Sequence, residues 1–273
     1  MAREEPVGVT TGPVQGAAQE RKIPKWAMVV DIDRCTGCQA CVVACQAENN
    51  VPINTEDRFL RWRAIEWIRI ERYWEGIEEA EKTGDWSKVK ARFIPILCQH
   101  CGNAPCEPVC PVYATYRTDD GLNAQIYNRC VGTRYCANNC PYQVRFFNWF
   151  EPVWPESLRN QLNPQVTVRS RGIMEKCTFC VQRLRQAGRR AAQEGREVSD
   201  KEFDSHGGLF APACVRACPT DALVFGNIKD PTSRVAQVAK DKRAYRLLAD
   251  LGTEPNVIYL KKVDPHAAER PHG

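Results

Sequence analysis

Long apolar runs are missing from the 273 residues: none approaches the roughly 18 consecutive apolar residues that a membrane-spanning helix needs. No export signal is legible either. Residues 1–25, MAREEPVGVTTGPVQGAAQERKIPK, hold neither an apolar h-region nor a twin-arginine pair. Their Gly, Pro, Gln and Ala content reads as a flexible N-terminal arm. Gly-rich phosphate loops, nucleophile elbows, HExxH and recognisably paired carboxylates are absent too. That removes the hydrolase and phosphotransferase classes that carry such signatures.

Cysteine is what the chain has. All 15 fall into four groups: Cys35, Cys38, Cys41, Cys45; Cys98, Cys101, Cys106, Cys110; Cys130, Cys136, Cys140; and Cys177, Cys180, Cys214, Cys218. An odd count sorted into repeated spacings is unlike a disulfide framework. The first group is spaced C-x2-C-x2-C-x3-C, and the second, C-x2-C-x4-C-x3-C-P, is a widened form of it. This is the ligand pattern of bacterial ferredoxins, where three thiolates hold one cluster and the fourth crosses to a neighbour. C-x2-C-x2-C is too crowded for a usual zinc site, which argues against a zinc-stabilised module.

The third group, CVGTRYCANNCP, departs from the pattern at one place. Thr133 stands where the second ligand belongs. An alcohol is not appreciably deprotonated at neutral pH and binds iron poorly. The expectation is a 3Fe-4S cluster here and 4Fe-4S clusters elsewhere.

Along the chain, 26–33 reads as a strand entering the first motif and 40–48 as a short helix bearing Cys45. Residues 67–73 alternate as a half-buried strand, and the acidic stretch 75–85 reads as a solvated insertion. Strands are predicted at 93–97, 122–127, 222–228 and 257–263, a basic amphipathic helix over 178–194, a helix over 233–251 and a loose tail from Pro265. His100, between two ligands, is read as a hydrogen-bonding neighbour because the cysteine set is already complete. The arginines of the 178–194 helix read as a solvated or partner-facing surface, with no nucleic-acid role. The aromatic run FFNWFEPVWP, 146–155, suits either core packing or a docking surface.

The four motifs in this order resemble the four-cluster iron-sulfur subunits of the complex iron-sulfur molybdoenzyme group. CTGCQACVVACQAENNVP, CVGTRYCANNCPYQVRFFN, MEKCTFCVQR and the segment from Ser233 to Leu260 are most similar to the iron-sulfur half of the alternative complex III B subunit and to the related subunit of the periplasmic quinone reductase complex. The resemblance covers 26–263 and includes Thr133, but no molybdopterin-type half accompanies it. It implies an α+β fold of two bacterial-ferredoxin-like modules. The inner one (91–155) is inserted into the outer one (26–90 and 156–230), followed by a C-terminal helix and strand extension (231–273).

The resemblance also implies the ligand sets, with the first motif paired to the fourth and the second to the third. Cys35, Cys38, Cys41 and Cys218 would hold one 4Fe-4S cluster, Cys45, Cys177, Cys180 and Cys214 a second, and Cys98, Cys101, Cys106 and Cys140 a third. Cys110, Cys130 and Cys136 would hold the 3Fe-4S cluster. Its potential would be raised by the nearby charges of Arg129, Arg134 and Arg145, since cluster type and local charge set potential. The implied role is electron relay between an integral-membrane quinone-binding subunit and a redox partner, with a separate molybdopterin-type chain and cytochrome c subunits as candidate partners. The implied place is peripheral, on the periplasmic face of a membrane complex.

Overall fold

A computed structural model describes residues 23–206 and 208–263. The predicted arm lies outside them except for 23–25, as does the predicted tail. No helix among the described residues is long and apolar enough to cross a membrane.

The first cysteine loop sits between β1 (Trp26–Asp31) and α1 (Ala40–Glu48). Then α2 (Glu56–Leu60), β2 (Ile68–Glu75), α3 (Ile77–Thr83) and β3 (Lys90–Leu97) carry the chain to the second loop. The hairpin of β4 (Thr115–Arg117) and β5 (Asn123–Gln125) joins it to the third loop, which ends in the single-turn α4 (Tyr135–Asn138). Next come β6 (Phe146–Phe147), α5 (Glu156–Arg159), β7 (Met174–Glu175) and α6 (Val181–Gln193). The chain closes with α7 (Ala213–Arg216), β8 (Leu223–Asn227), α8 (Arg234–Val238), β9 (Ala244–Tyr245) and β10 (Val257–Leu260).

Among the described residues, one four-stranded sheet, ordered β8-β1-β10-β9, lies beside three two-stranded ladders. β1 is central, antiparallel to β8 (Met28↔Phe225) and parallel to β10 (Met28↔Val257). A strand covered on both faces reads as a continuous apolar run, which is why WAMVVD shows no polar alternation. Its side chains still alternate in space. Trp26, Met28 and Val30 enter the large core that holds most of the cysteines, while Ala27 and Val29 pack with Val224, Ile258 and Val235 in a smaller one.

The pairing positions the ligand loops. β1 precedes the first loop and β8 follows the fourth, so their ladder sets those two loops side by side. β4 follows the second loop and β5 precedes the third, and their ladder does the same for that pair. The chain thus carries two ferredoxin-type units in an α+β arrangement.

Two expectations need amendment. The acidic stretch is largely exposed, as expected, but folds as α3 between Gly76 (φ 81°) and Gly84 (φ 71°). The helix predicted over 233–251 is present only as α8 and a single 3-10 turn at Ala249–Leu251. Ser233 caps α8, its Oγ accepting from Ala236 N at 3.2 Å. A turn at Asp241 then lets Arg243 reach Asp31 through two 3.1 Å hydrogen bonds and lets β9 pair with β10. Sheet pairing and an ion pair outweigh a helix propensity worth tenths of a kcal/mol per residue.

Candidate metal centres

The four loops share one backbone device. The residue just before the second ligand position is left-handed in each: Gly37 (φ 72°), His100 (φ 44°), Gly132 (φ 73°) and Phe179 (φ 53°). Left-handed residues reverse the chain locally and turn successive side chains to one side. A second device follows each Cys-Pro pair, where Tyr113, Gln143 and Asp221 are left-handed three residues after their cysteine. The next N–H then points back at sulfur. Ala114 N donates to Cys110 Sγ at 3.2 Å and Ala222 N to Cys218 Sγ at 3.3 Å, and Val144 does the same for Cys140.

Cys35, Cys38, Cys41 and Cys218 line one enclosed cavity with Gly37, Ile70, Pro95 and Leu223. Cys98, Cys101, Cys106 and Cys140 line another with Ala104, Pro105, Tyr142 and Val144. The two cavities are equal in size, about 20 Å³ each. Cys45, Cys177, Cys180 and Cys214 are buried together: Asn49 Nδ2 donates to Cys45 Sγ (3.6 Å) and Cys180 Sγ (3.5 Å), and Cys214 lies in the field of Cys180, Cys45 and Cys177. Cys110 and Cys136 share Arg145 as a neighbour, and Cys130 Sγ accepts from Met174 N at 3.3 Å.

These sets adjoin one another in a row. Cys41 couples electrostatically to Cys45 and Cys214, Cys177 to Cys98, and Arg145 touches both Cys106 and Cys136. Exposure follows the row. All eight cysteines of the two middle sets are buried, whereas Cys38 is exposed and Cys35, Cys218, Cys110 and Cys130 are half-buried.

Burial pushes the Cys41, Cys101 and Cys177 thiols up to about 12, with neighbouring cysteines adding to it, and Cys106 up to about 11. Bare thiolates crowded in an apolar cavity are therefore costly. Iron would bind the anion and supply the missing positive charge, so these donor sets fit iron-sulfur clusters. Cys110 goes the other way: burial opposes ionisation, but the N–H groups of Val112, Ala114 and Thr115 and the Arg145 charge hold its thiol below the usual range. No group of three or more His, Cys, Asp or Glu among the described residues is placed to hold a single metal ion.

Thr133 occupies the position matching Cys38 and is exposed. Arg145 is buried and donates to Cys106 Sγ at 3.4 Å, to Asn123 Oδ1 at 3.1 Å and to Thr115 Oγ1 at 2.7 Å. Arg134 lies over the Phe147 and Trp149 rings at 5.3 and 4.8 Å, and Arg129 is exposed. His100 is wholly buried, stacked on Phe179 at 4.0 Å, and its Nδ1 accepts from Asn123 N at 3.1 Å. Burial, with the charges of Lys176 and Arg145, holds it well below the usual histidine range, so it is neutral. Phe147, Trp149 and Phe150 are half-buried, with Arg63 over Trp149 and Arg58 over Phe150.

Sequence reasoning missed three groups. Asn49, one helical turn after Cys45, bridges two thiols. Lys176 is fully buried beside Cys177. Arg169 and Glu175 form a wholly buried ion pair at 2.9 Å, with Trp67 Nε1 donating to the same carboxylate at 3.0 Å. A charged or amide residue next to a ligand inside a buried motif was the available signal for the first two.

Comparison with known proteins agrees with this chemistry. The 4Fe-4S dicluster domain family matches residues 89–155 and a 4Fe-4S binding domain family matches residues 26–47. The iron-sulfur cluster-binding subunit of menaquinone reductase from Nitratidesulfovibrio vulgaris is 42% identical over 87% of this chain and 89% of its own length. Iron-sulfur subunit 1 of the Hdr-like menaquinol oxidoreductase of Archaeoglobus fulgidus is 37% identical over 91% of this chain and 87% of its own. A tetrathionate reductase subunit from Salmonella typhimurium is 34% identical over 86% and 72%. With buried thiols in ferredoxin spacing and relatives of this closeness across most of its length, the chain belongs to the family of 4Fe-4S electron-transfer subunits found in menaquinone and menaquinol oxidoreductases and in molybdoenzyme-type reductases.

Proposed function

We propose that this chain is the electron relay of a membrane-bound quinone/quinol oxidoreductase complex, carrying electrons one at a time along three 4Fe-4S clusters and one 3Fe-4S cluster. The observation that carries it is the succession of neighbouring cysteines, buried in the middle and more exposed at both ends, with Cys38 exposed at one end and Cys110 and Cys130 half-buried at the other. Cys35, Cys38, Cys41 and Cys218 would hold the cluster at one end; Cys45, Cys177, Cys180 and Cys214 the next; Cys98, Cys101, Cys106 and Cys140 the third. Cys110, Cys130 and Cys136 would hold the 3Fe-4S cluster at the other end, where Thr133 offers no fourth thiolate. When bound, the clusters supply one-electron redox states. The chain's own residues exclude water from the middle sites, donate N–H groups to sulfur and place Arg145 between the last two sets.

The two exposed ends are the proposed points of exchange. We assign the Thr133 end to an integral-membrane quinone-binding subunit, because the third loop exposes Val131 and Tyr135, and Trp62 and Tyr135 are exposed next in sequence to Arg63 and Arg134, whose guanidinium groups lie over Trp149. The opposite end would meet a separate molybdopterin-type chain or cytochrome c subunits. Two electrons from a quinol would cross in succession while its two protons leave at the membrane subunit, or the reverse sequence would run for quinone reduction. Higher identity to the menaquinone and menaquinol subunits than to tetrathionate reductase supports the quinone reading over a purely molybdopterin-dependent reductase. The alternative complex III likeness, the nesting of 91–155 within 26–90 and 156–230, and a periplasmic position belong to the same proposal. Iron analysis and redox-titrated EPR test it: roughly fifteen irons per chain and one oxidised-state 3Fe-4S signal are expected. Stoichiometric zinc, or far less iron in a fully assembled complex, would overturn it.

A further inference from the structure

Two cations lie in the interior without a carboxylate. Lys176 is 0% exposed and Arg145 6%, and neither takes part in an ion pair among the described residues. Arg169, the other deeply buried cation, shows the ordinary solution, since Glu175 neutralises it. A buried charge left without a counter-charge is strongly destabilising. A negative group at this place would offset the two cations.

The contacts of Lys176 say where. Its Nζ donates to the carbonyl of Cys177, at 2.9 Å, and to the carbonyl of Asn123. Cys177 belongs to one middle thiol set; Asn123 lines the cavity of the other and its Oδ1 receives Arg145. Asn123 Nδ2 holds Glu107 at 2.6 Å, so that carboxylate is engaged by the amide and not by either cation. The neutral His100 completes the seam, its Nδ1 held by Asn123 N.

Resting on the ligand sets proposed above, we infer that Lys176 is the shared counter-charge of the two interior clusters, a positioning residue that raises both their reduction potentials together. A cluster bound by four thiolates is anionic and gains one negative charge for each electron it accepts. A fixed ammonium at the junction favours the reduced state of both neighbours. It thereby raises the two middle stations together relative to the end clusters and leaves the gap between the two unchanged.

The test is potentiometric EPR on the assembled complex, with signals assigned beforehand through Cys218→Ser, Cys214→Ser and Cys140→Ser. Lys176→Met and Lys176→Gln should each make both interior clusters at least tenfold harder to reduce, about 59 mV for a one-electron couple. The two end clusters should move less, and Lys176→Arg should restore the wild-type values. Glutamine keeps a donor for the Asn123 carbonyl, so it decides should methionine fail to assemble. Loss of iron in both neutral variants but not in arginine would also support the charge role. Unchanged potentials, a shift of only one interior cluster, an equal shift of all four, or loss of iron in all three variants would overturn it. If wild type itself lacked four clusters, the failure would belong to the ligand reading instead.

Discussion

The first and third cysteine loops have nearly the same backbone and different chemistry. Gly37 and Gln39 (φ 72° and 61°) match Gly132 and Arg134 (φ 73° and 63°), yet one loop carries Cys38 where the other carries Thr133. The fold has kept the cradle and changed a single donor. The difference between the sites therefore lies in one side chain and in what backs each loop, not in a distorted turn.

Backing is where the largest effect is expected. A Cβ on Gly132 would run into the carbonyl oxygen of Gly172 and the Phe147 ring, and backbone cannot step aside. A Cβ on Gly37 would meet only the Phe93 ring, at 2.5 Å. Both substitutions also incur the left-handed cost of about 1–2 kcal/mol. Gly132→Ala should lose roughly 4 kcal/mol or more and Gly37→Ala about 2. Equal thermal unfolding shifts would show that the two loops are supported alike.

Exchanging the donors comes next. If the proposed ligand sets hold, Thr133→Cys should convert the proposed 3Fe-4S end cluster to 4Fe-4S, raising iron from roughly fifteen to sixteen per chain and removing the oxidised 3Fe-4S signal. Cys38→Thr should do the opposite at the first loop. A Thr133→Cys protein with an undiminished 3Fe-4S signal would mean that some other feature limits this site to three irons.

Much of this was legible in the sequence because it is local. WAMVVD and the helix bearing Cys45 follow from apolar run and spacing, and Thr133 is visible as a break in a repeat. Residues whose role depends on a distant partner were not legible. Arg145 was read as a charge near the third motif, but its guanidinium also reaches Cys106, 39 positions away. Lys176 is visible as a charged residue beside a cysteine, but its partner Asn123, on β5, is not. The 233–251 helix failed for the same reason, because Asp31 and β10 claim the residues that local propensity would have kept helical.

The smallest expected effect distinguishes the elements that follow the two loops. The first runs into the nine-residue α1, whose end is pinned by Glu48 to Arg183 Nη2 at 2.6 Å and to Gln182 Nε2 at 2.9 Å. The third runs into the four-residue α4 and has no such ion pair among the described residues. Burial alone would raise the Glu48 carboxyl, but the Arg183 and Gln182 hydrogen bonds outweigh it and hold the group below the usual carboxylate range. A carboxylate depressed in the folded state gives stability that is complete above its unfolded value, near pH 4.3, and is lost as pH falls through the folded value. Glu48→Gln should thus cost about 0.5–1 kcal/mol at pH 7, the scale of a partly exposed pair. The gap from wild type should close as the pH drops below about 4. Thermal midpoints of both proteins across that range decide it: a gap that stays constant with pH would assign the stabilisation to packing of the side chain, leaving the charge with no part in holding the first loop.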